Sequence, residues 1–165
     1  MSAIDSRRFR DVLGHFPTGI VVVTASRNGR PVGMAVNSFT SVSLDPPLVL
    51  FCPARSSSTW PDIAAAGRFC VNLLRREQAW VARRFAARDI DRFDGIVWGP
   101  SPGGAPLLAG TVGWLDCRIE LRMEAGDHII VLGHVEALDV SEGAAPLLFF
   151  RGGHELPQRE PGGCT

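Results

Sequence analysis

The densest polar chemistry in the chain stands just ahead of an apolar helical stretch: Arg55, Ser56, Ser57, Ser58 and Thr59. A helix start offers unpaired backbone N–H groups and a partial positive charge. Four successive hydroxyls and a guanidinium beside it can seat a phosphate. The same residue types are ordinary N-caps, and a cap uses one hydroxyl. On composition alone, capping is the first reading and an anion seat the second. A further stretch, Gly33-Met34-Ala35-Val36-Asn37-Ser38-Phe39-Thr40-Ser41, is small and polar beside an apolar run. Such a stretch lets backbone groups approach a flat ligand. The plainer reading, preferred without further information, is a strand with a bulge near Gly33.

The residues able to carry acid–base or nucleophilic chemistry are few. Histidines stand at 15, 128, 134 and 154, without metal-ligand spacing. His128 directly follows Gly126-Asp127, so it sits at a strand mouth, either as a proton donor or ligand contact or as a solvent-facing turn residue. His15, inside the first helix, reads as structural. Cysteines at 52, 70, 117 and 164 form no C-x-x-C pair and match no zinc pattern. Three buried thiols and one loose tail thiol are expected, and a set of free thiols suits a reducing cytosol. Cys52 lies in an apolar strand, which favours an inert thiol. There is no G-x-S-x-G elbow and no G-x-G-x-x-G.

Composition narrows the choice further. Every one of the seventeen cations is arginine, and tyrosine is absent. Schiff-base and pyridoxal chemistry, a P-loop lysine and a phenolic acid are therefore excluded. Seventeen acidic residues balance the arginines, giving formal charge zero, which argues against nucleic acid and against a polybasic membrane contact. Residues 1–11 are polar, so no secretory signal is expected. No apolar run is long enough to span a bilayer. At 165 residues and 45% apolar content, one domain with a real core is expected.

The elements that must position these groups read as follows. Phe9, Val12, Leu13 and Phe16 share one helical face, with Asp5 or Ser6 as cap and Pro17 at the end. Residues 18–26 read as a strand. Asn28-Gly29 is the pair a tight hairpin turn prefers, and 31–36 is the return strand, continuing extended to Ser43. Asp45-Pro46-Pro47 breaks the chain, and 48–52 reads as a strand buried on both faces. Residues 60–66 form a short helix, with Pro61 in its first turn and Gly67 after its end. A strand over 68–74 and a helix over 77–87 follow, the helix with Trp80, Val81 and Phe85 inward. Residues 88–110 look like loop. Leu115, Cys117, Ile119, Leu121 and Met123 alternate with Asp116, Arg118, Glu120 and Arg122, which is period two. This gives an apolar face and a charged face that is solvated or a subunit contact. The chain turns at 125–127, returns over 128–140, and ends in a short strand over 146–150. Residues from Pro157 read as a mobile tail. Six or more strands with two or three helices at connections imply a mainly β, antiparallel barrel with a few peripheral helices.

Several of these segments together resemble the flavin reductase-like family, the FMN-binding split barrel. They are Phe16-Pro17-Thr18-Gly19-Ile20-Val21-Val22-Val23-Thr24, residues 33–48, Phe69-Cys70-Val71-Asn72-Leu73-Leu74, Phe85-Ala86, Gly126-Asp127-His128 and Pro146-Leu147-Leu148-Phe149-Phe150. The likeness spans roughly residues 6–156 in the family's order, so 1–156 is expected to be one domain. The resemblance implies an antiparallel split β-barrel and a cytoplasmic homodimer that reduces free FMN or FAD with NADH or NADPH. It implies delivery of the reduced flavin to a partner monooxygenase component. By resemblance, Ala35, Val36, Asn37 and Ser38 hold the isoalloxazine. Cys52, Pro53 and Ala54 lie beside the ribityl chain, and Ser57, Ser58 and Thr59 bind phosphate. Arg84 and Phe85 close over the phosphate or adenosine side, and His128 and Phe149 stand near the nicotinamide, with His128 the catalytic candidate. The alternative is an FMN-binding electron-transfer module that keeps its flavin bound.

Overall fold

The computed structural model describes residues 4–153; the tail read from Pro157 lies outside them. Helix α1 (Ser6–Gly14) is capped by Asp5, whose carboxylate accepts the Arg7 backbone N–H at 3.1 Å. After Pro17 come β1 (Thr18–Gly19), β2 (Val21–Arg27) and β3 (Arg30–Val36). Asn28 and Gly29 both have positive φ, 51° and 76°, as a two-residue turn matched to strand twist requires. The expected extension of this strand to Ser43 is interrupted at 37–39. Then β4 (Thr40–Leu44) and β5 (Pro47–Phe51) form a second hairpin around Asp45-Pro46. Helix α2 (Trp60–Ala66), β6 (Arg68–Leu73), a 3₁₀ turn (Arg76–Gln78) and α3 (Ala79–Ala86) follow.

The segment read as loop contains a small ladder, β7 (Trp98–Pro100) with β8 (Pro106–Leu108). Prolines at 100, 102 and 106 had masked it. The long hairpin of β9 (Gly113–Ala125) and β10 (His128–Val140) comes next. Only Leu148–Phe149 of the expected last strand is regular; this is β11, paired with β1.

Seven strands form one antiparallel sheet in the order β3-β2-β6-β9-β10-β5-β4. Its edge strands β3 and β4 are consecutive in the chain, joined by residues 37–39 alone. Laid flat, seven strands would hold those edges about 29 Å apart, while the connector reaches roughly 14 Å. The sheet must therefore curl until its edges approach. No ladder joins β3 to β4, so the barrel closes through a connector and is split at that seam.

The interior is built from alternate residues of the inner strands. Val21, Val23, Phe51, Phe69, Val71, Cys117 and Val131 are buried in one cluster, with Phe51 and Phe69 edge-on at 5.2 Å. Strand β2 is buried on its other face too: Val22, with Ile20 just before the strand, packs with Leu74, Val81, Phe85 and Leu147 beneath α3. That explains its continuous β-branched run.

Burial corrects several expectations. Strand 48–52 is not buried on both faces, since Val49 and Phe51 are enclosed but Leu48, Leu50 and Cys52 are partly open. Trp80 points outward at 49% exposure, because Val81, Ala82 and Phe85 set the buried face of α3. Leu121 and Met123 are exposed, where the β9–β10 hairpin runs beyond the barrel. Asp116, on the charged face, is buried beneath the 101–105 turn and accepts the Gly103 N–H. No bulge occurs at Gly33; its register with β2 is unbroken.

Candidate functional site

The seam of the barrel is where the singled-out segments meet. Ser38 stands on the 37–39 connector. Its hydroxyl accepts the Cys52 N–H at 2.9 Å and faces the Cys52 carbonyl at 3.3 Å. A serine can do both at once, so one side chain ties Asn37-Ser38 to Cys52-Pro53-Ala54. That second connector is tied in turn to the β9–β10 turn. The Arg55 N–H donates to the Asp127 carbonyl at 2.9 Å, the Ile129 N–H donates to the Pro53 carbonyl at 3.0 Å, and Ala54 bridges His128. The structure thus gathers Asn37, Ser38, Cys52, Pro53, Ala54 and His128 along one line, although they come from three distant parts of the chain.

The hydroxyl cluster resolves into separate roles. Ser57 Oγ accepts from the Thr59 and Trp60 N–H groups at 3.3 and 3.2 Å, so it caps α2. Thr59, the residue in the cap position, makes no capping bond with its side chain. Ser58 is exposed. Arg55, read as the cation of this group, pairs instead with Glu124 at 3.4 Å. The guanidinium that does reach the cluster belongs to Arg92, which donates to Thr59 Oγ1 at 2.6 Å. Sequence reasoning missed it, because residues 88–104 carry no periodicity and the contact spans 33 positions.

Arg84 and Phe85 do not join this line. Arg84 Nε donates to the Arg92 carbonyl at 3.2 Å; its Nη2 donates to the Asp91 carbonyl at 2.9 Å and pairs with Asp94 at 3.0 Å. It clamps the following loop. Phe85 is 1% exposed and lies edge-on to Phe93 at 5.0 Å. Its ring supports β3 from behind rather than bordering a cleft, so these two residues serve the site through the scaffold.

Two openings flank the connector after β3. One, about 700 Å³, is lined by Phe9, Leu13, Phe16, Thr18, Asn37 and Phe149 among others. The other, about 350 Å³, is lined by Ala35, Val36, Asn37 and Phe149 together with Ala82 and Ala86 of α3. Volumes of this size suit a small-molecule ring system. Thr18, which lines the larger opening, has a buried Oγ1 without a hydrogen-bond partner.

His128 is half exposed. Its Nδ1 pairs with Asp127 Oδ1 at 2.8 Å. The hydrogen bond from His128 holds the Asp127 carboxyl below its usual range, so the imidazole is oriented by an ionised neighbour. Burial pushes the Cys52 thiol up, leaving it neutral and a poor nucleophile. Among the described residues no group of three or more His, Cys, Asp or Glu could hold a metal, and no helix is long and apolar enough to cross a membrane. The arrangement offers backbone edges, hydroxyls, one oriented imidazole and apolar walls. Such groups suit the binding and orientation of a ligand.

Comparison with known proteins shows what the chain is similar to. Residues 13–155 match the family model described as a flavin reductase like domain. A flavin reductase of Pseudomonas putida is 53% identical over 154 residues, covering 93% of this chain and 91% of that protein. The reductase subunit HsaB of a flavin-dependent monooxygenase from Rhodococcus jostii is 48% identical, covering 91% of this chain and 77% of that one. Among solved structures, the NADH:FAD oxidoreductase SgcE6 of Streptomyces globisporus, in complex with NAD and FAD fragments, superposes with a TM-score of 0.86. The two are 38% identical, with 97% of this chain and all of that chain covered.

Proposed function

The chain belongs to the flavin reductase-like family, and from that premise we propose that it oxidises NADH to reduce flavin, which it supplies to a partner monooxygenase. The observation that carries this reading is that Ser38 ties the 37–39 connector to Cys52, and the 53–55 connector that follows Cys52 pairs in turn with residues 127–129. Relatives named as flavin reductases and as monooxygenase reductase subunits support it. So does a neighbouring structure holding NAD and FAD fragments.

The flavin ring accepts hydride from the nicotinamide, and the chemistry resides in those two molecules. The protein's part is to stack and orient them, where positioning alone removes much of the barrier. Backbone groups of Ala35–Ser38 border the ring. Pro53 and Ala54 border the ribityl chain, with Cys52 fixing that connector, and the Ser57–Thr59 connector receives the phosphate. His128, held by Asp127, either orients the nicotinamide carboxamide or donates a hydrogen bond to the ring edge that gains negative charge. Phe149 borders the exposed face of the ring. The absence of lysine and tyrosine fits a reaction that needs neither.

The same reading includes a homodimer, supported by the exposed apolar face of α1. It includes a cytoplasmic location, supported by free thiols at 52, 70 and 117, and one domain over 1–156. The test is turnover: purified protein, NADH and excess FMN or FAD, followed by loss of NADH absorbance. Oxidation well above the spontaneous rate is expected. Turnover no faster than buffer with either flavin and either nicotinamide nucleotide would retire the proposal.

A further inference from the structure

The segment after α3 delivers a guanidinium to the hydroxyl connector and fixes it from several sides. Arg92 Nη1 donates to Thr59 Oγ1 at 2.6 Å and to the Gly33 carbonyl at 2.8 Å, while Nε donates to the Ala87 carbonyl at 2.9 Å. One side chain thereby joins β3, the end of α3 and the connector before α2. Its backbone is held as well. Arg84 binds the Arg92 carbonyl, and Phe93 packs edge-on against the enclosed Phe85. The guanidinium position is set by the scaffold.

The direction of the Arg92–Thr59 hydrogen bond has a chemical consequence. Arginine only donates, so Thr59 Oγ1 is the acceptor and its own proton remains to be given elsewhere. Capping asks a hydroxyl only to accept, and that task falls to Ser57, so the Thr59 proton is not drawn toward the helix. A donor hydroxyl therefore stands beside a cation, and an anionic oxygen is the acceptor that gains from both. The cleft lined by Ser58, Thr59 and Arg92, about 270 Å³, also carries Asp62, Asp89 and Asp91. Arg92 is the cation among its lining side chains. Without the guanidinium, the only charged side chains an approaching phosphate would meet in this cleft are carboxylates.

We infer that Arg92 is the positioning residue and counter-charge of the flavin phosphate: it turns the Thr59 hydroxyl toward that phosphate and makes phosphorylated flavins preferred over riboflavin. The inference rests on the reading that the Ser57–Thr59 connector receives the phosphate. Riboflavin carries the same ring without the phosphate, so the ratio of the two affinities isolates the contact from general damage to the fold.

The test measures dissociation constants of FMN and riboflavin by quenching of flavin fluorescence, without NADH, for wild type, Arg92→Ala, Arg92→Lys and Thr59→Val. Wild type should prefer FMN. Arg92→Ala should weaken FMN about ten- to hundredfold and riboflavin less than about threefold. Arg92→Lys should recover part of the preference, since lysine keeps the charge but lacks the planar fork that serves Gly33 and Thr59 together. Thr59→Val should lose FMN preference, and adding it to Arg92→Ala should cost little more. A wild type that binds both flavins equally overturns the phosphate seat itself. A wild type that prefers FMN, with that preference intact in Arg92→Ala, overturns the role of Arg92 alone. If Arg92→Ala does not fold, an unchanged ratio in both Arg92→Lys and Thr59→Val overturns it equally.

Discussion

Gly33 sits where a side chain has no room. A Cβ there would lie 2.7 Å from Phe85 Cε1 and 3.1 Å from Thr24 Cγ2, and both neighbours are buried. Gly33→Ala should therefore destabilise by about 1–3 kcal/mol through overpacking, read as a lower urea midpoint at unchanged slope. Its carbonyl also holds Arg92, so FMN affinity should fall with it. Phe85→Leu in the same chain should restore part of the stability; a midpoint equal to wild type in Gly33→Ala alone would contradict the close approach. At His128 the issue is orientation. Asp127 is held below the usual carboxylate range by its hydrogen bond from His128, so the ionised pair persists through that range and is lost only as pH falls through the lowered value. His128→Ala should slow hydride transfer or raise KM for NADH about tenfold while flavin fluorescence is still quenched. Wild-type steady-state kinetics in that variant would remove His128 from the site.

Between elements, the β6–β9 pairing buries two thiols on opposite faces. Phe69 is opposite Cys117, and Cys70 is opposite Asp116. Burial raises both, Cys117 to about 12, with Asp116 adding to each. A thiol whose folded pKa is raised stabilises fully below its unfolded value and loses that contribution as pH climbs through the folded one. With lysine and tyrosine absent, few other side chains titrate between pH 9 and 10.5. Stability should fall across this window by about 1–2 kcal/mol per thiol, and the slope should be shallower in Cys117→Ala. A flat urea midpoint would mean the thiols are not so enclosed. This scale also separates what the sequence disclosed from what it hid. The Asn28-Gly29 turn, α2 after its hydroxyls and the period-two strand β9 follow local rules, so they were readable. Arg92 and Asp116 acquire their roles only from chain far away, on β3, the 57–59 connector or the 101–105 turn. Trp80, expected inward, lies outside, and Leu121 is exposed on its apolar face, because periodicity shows which residues share a face and only packing shows whether that face is covered.

For the whole molecule, α1 poses the unresolved packing problem. Its Phe9, Val12 and Leu13, with Phe16 just beyond its end, are 55%, 61%, 54% and 71% exposed, and none of the helix residues is buried. A nine-residue helix is marginal in water by itself, and its stability must come from covering that face. Monomers rarely leave such contiguous apolar surface open. A formal charge of zero puts no net repulsion between two copies. Phe9, Leu13 and Phe16 also wall the 700 Å³ cleft that holds Thr18, Asn37 and Phe149, so a second copy covering α1 would border the same cleft. Sedimentation equilibrium should accordingly give twice the 17.8 kDa chain mass. Leu13→Glu should weaken the dimer by at least about 2 kcal/mol, roughly thirtyfold in Kd. Flavin affinity should fall in step with dissociation, because the wall and the interface are the same helix face. A folded, fully active wild-type monomer at micromolar concentration would contradict the coupling and leave the exposed face of α1 to another occupant.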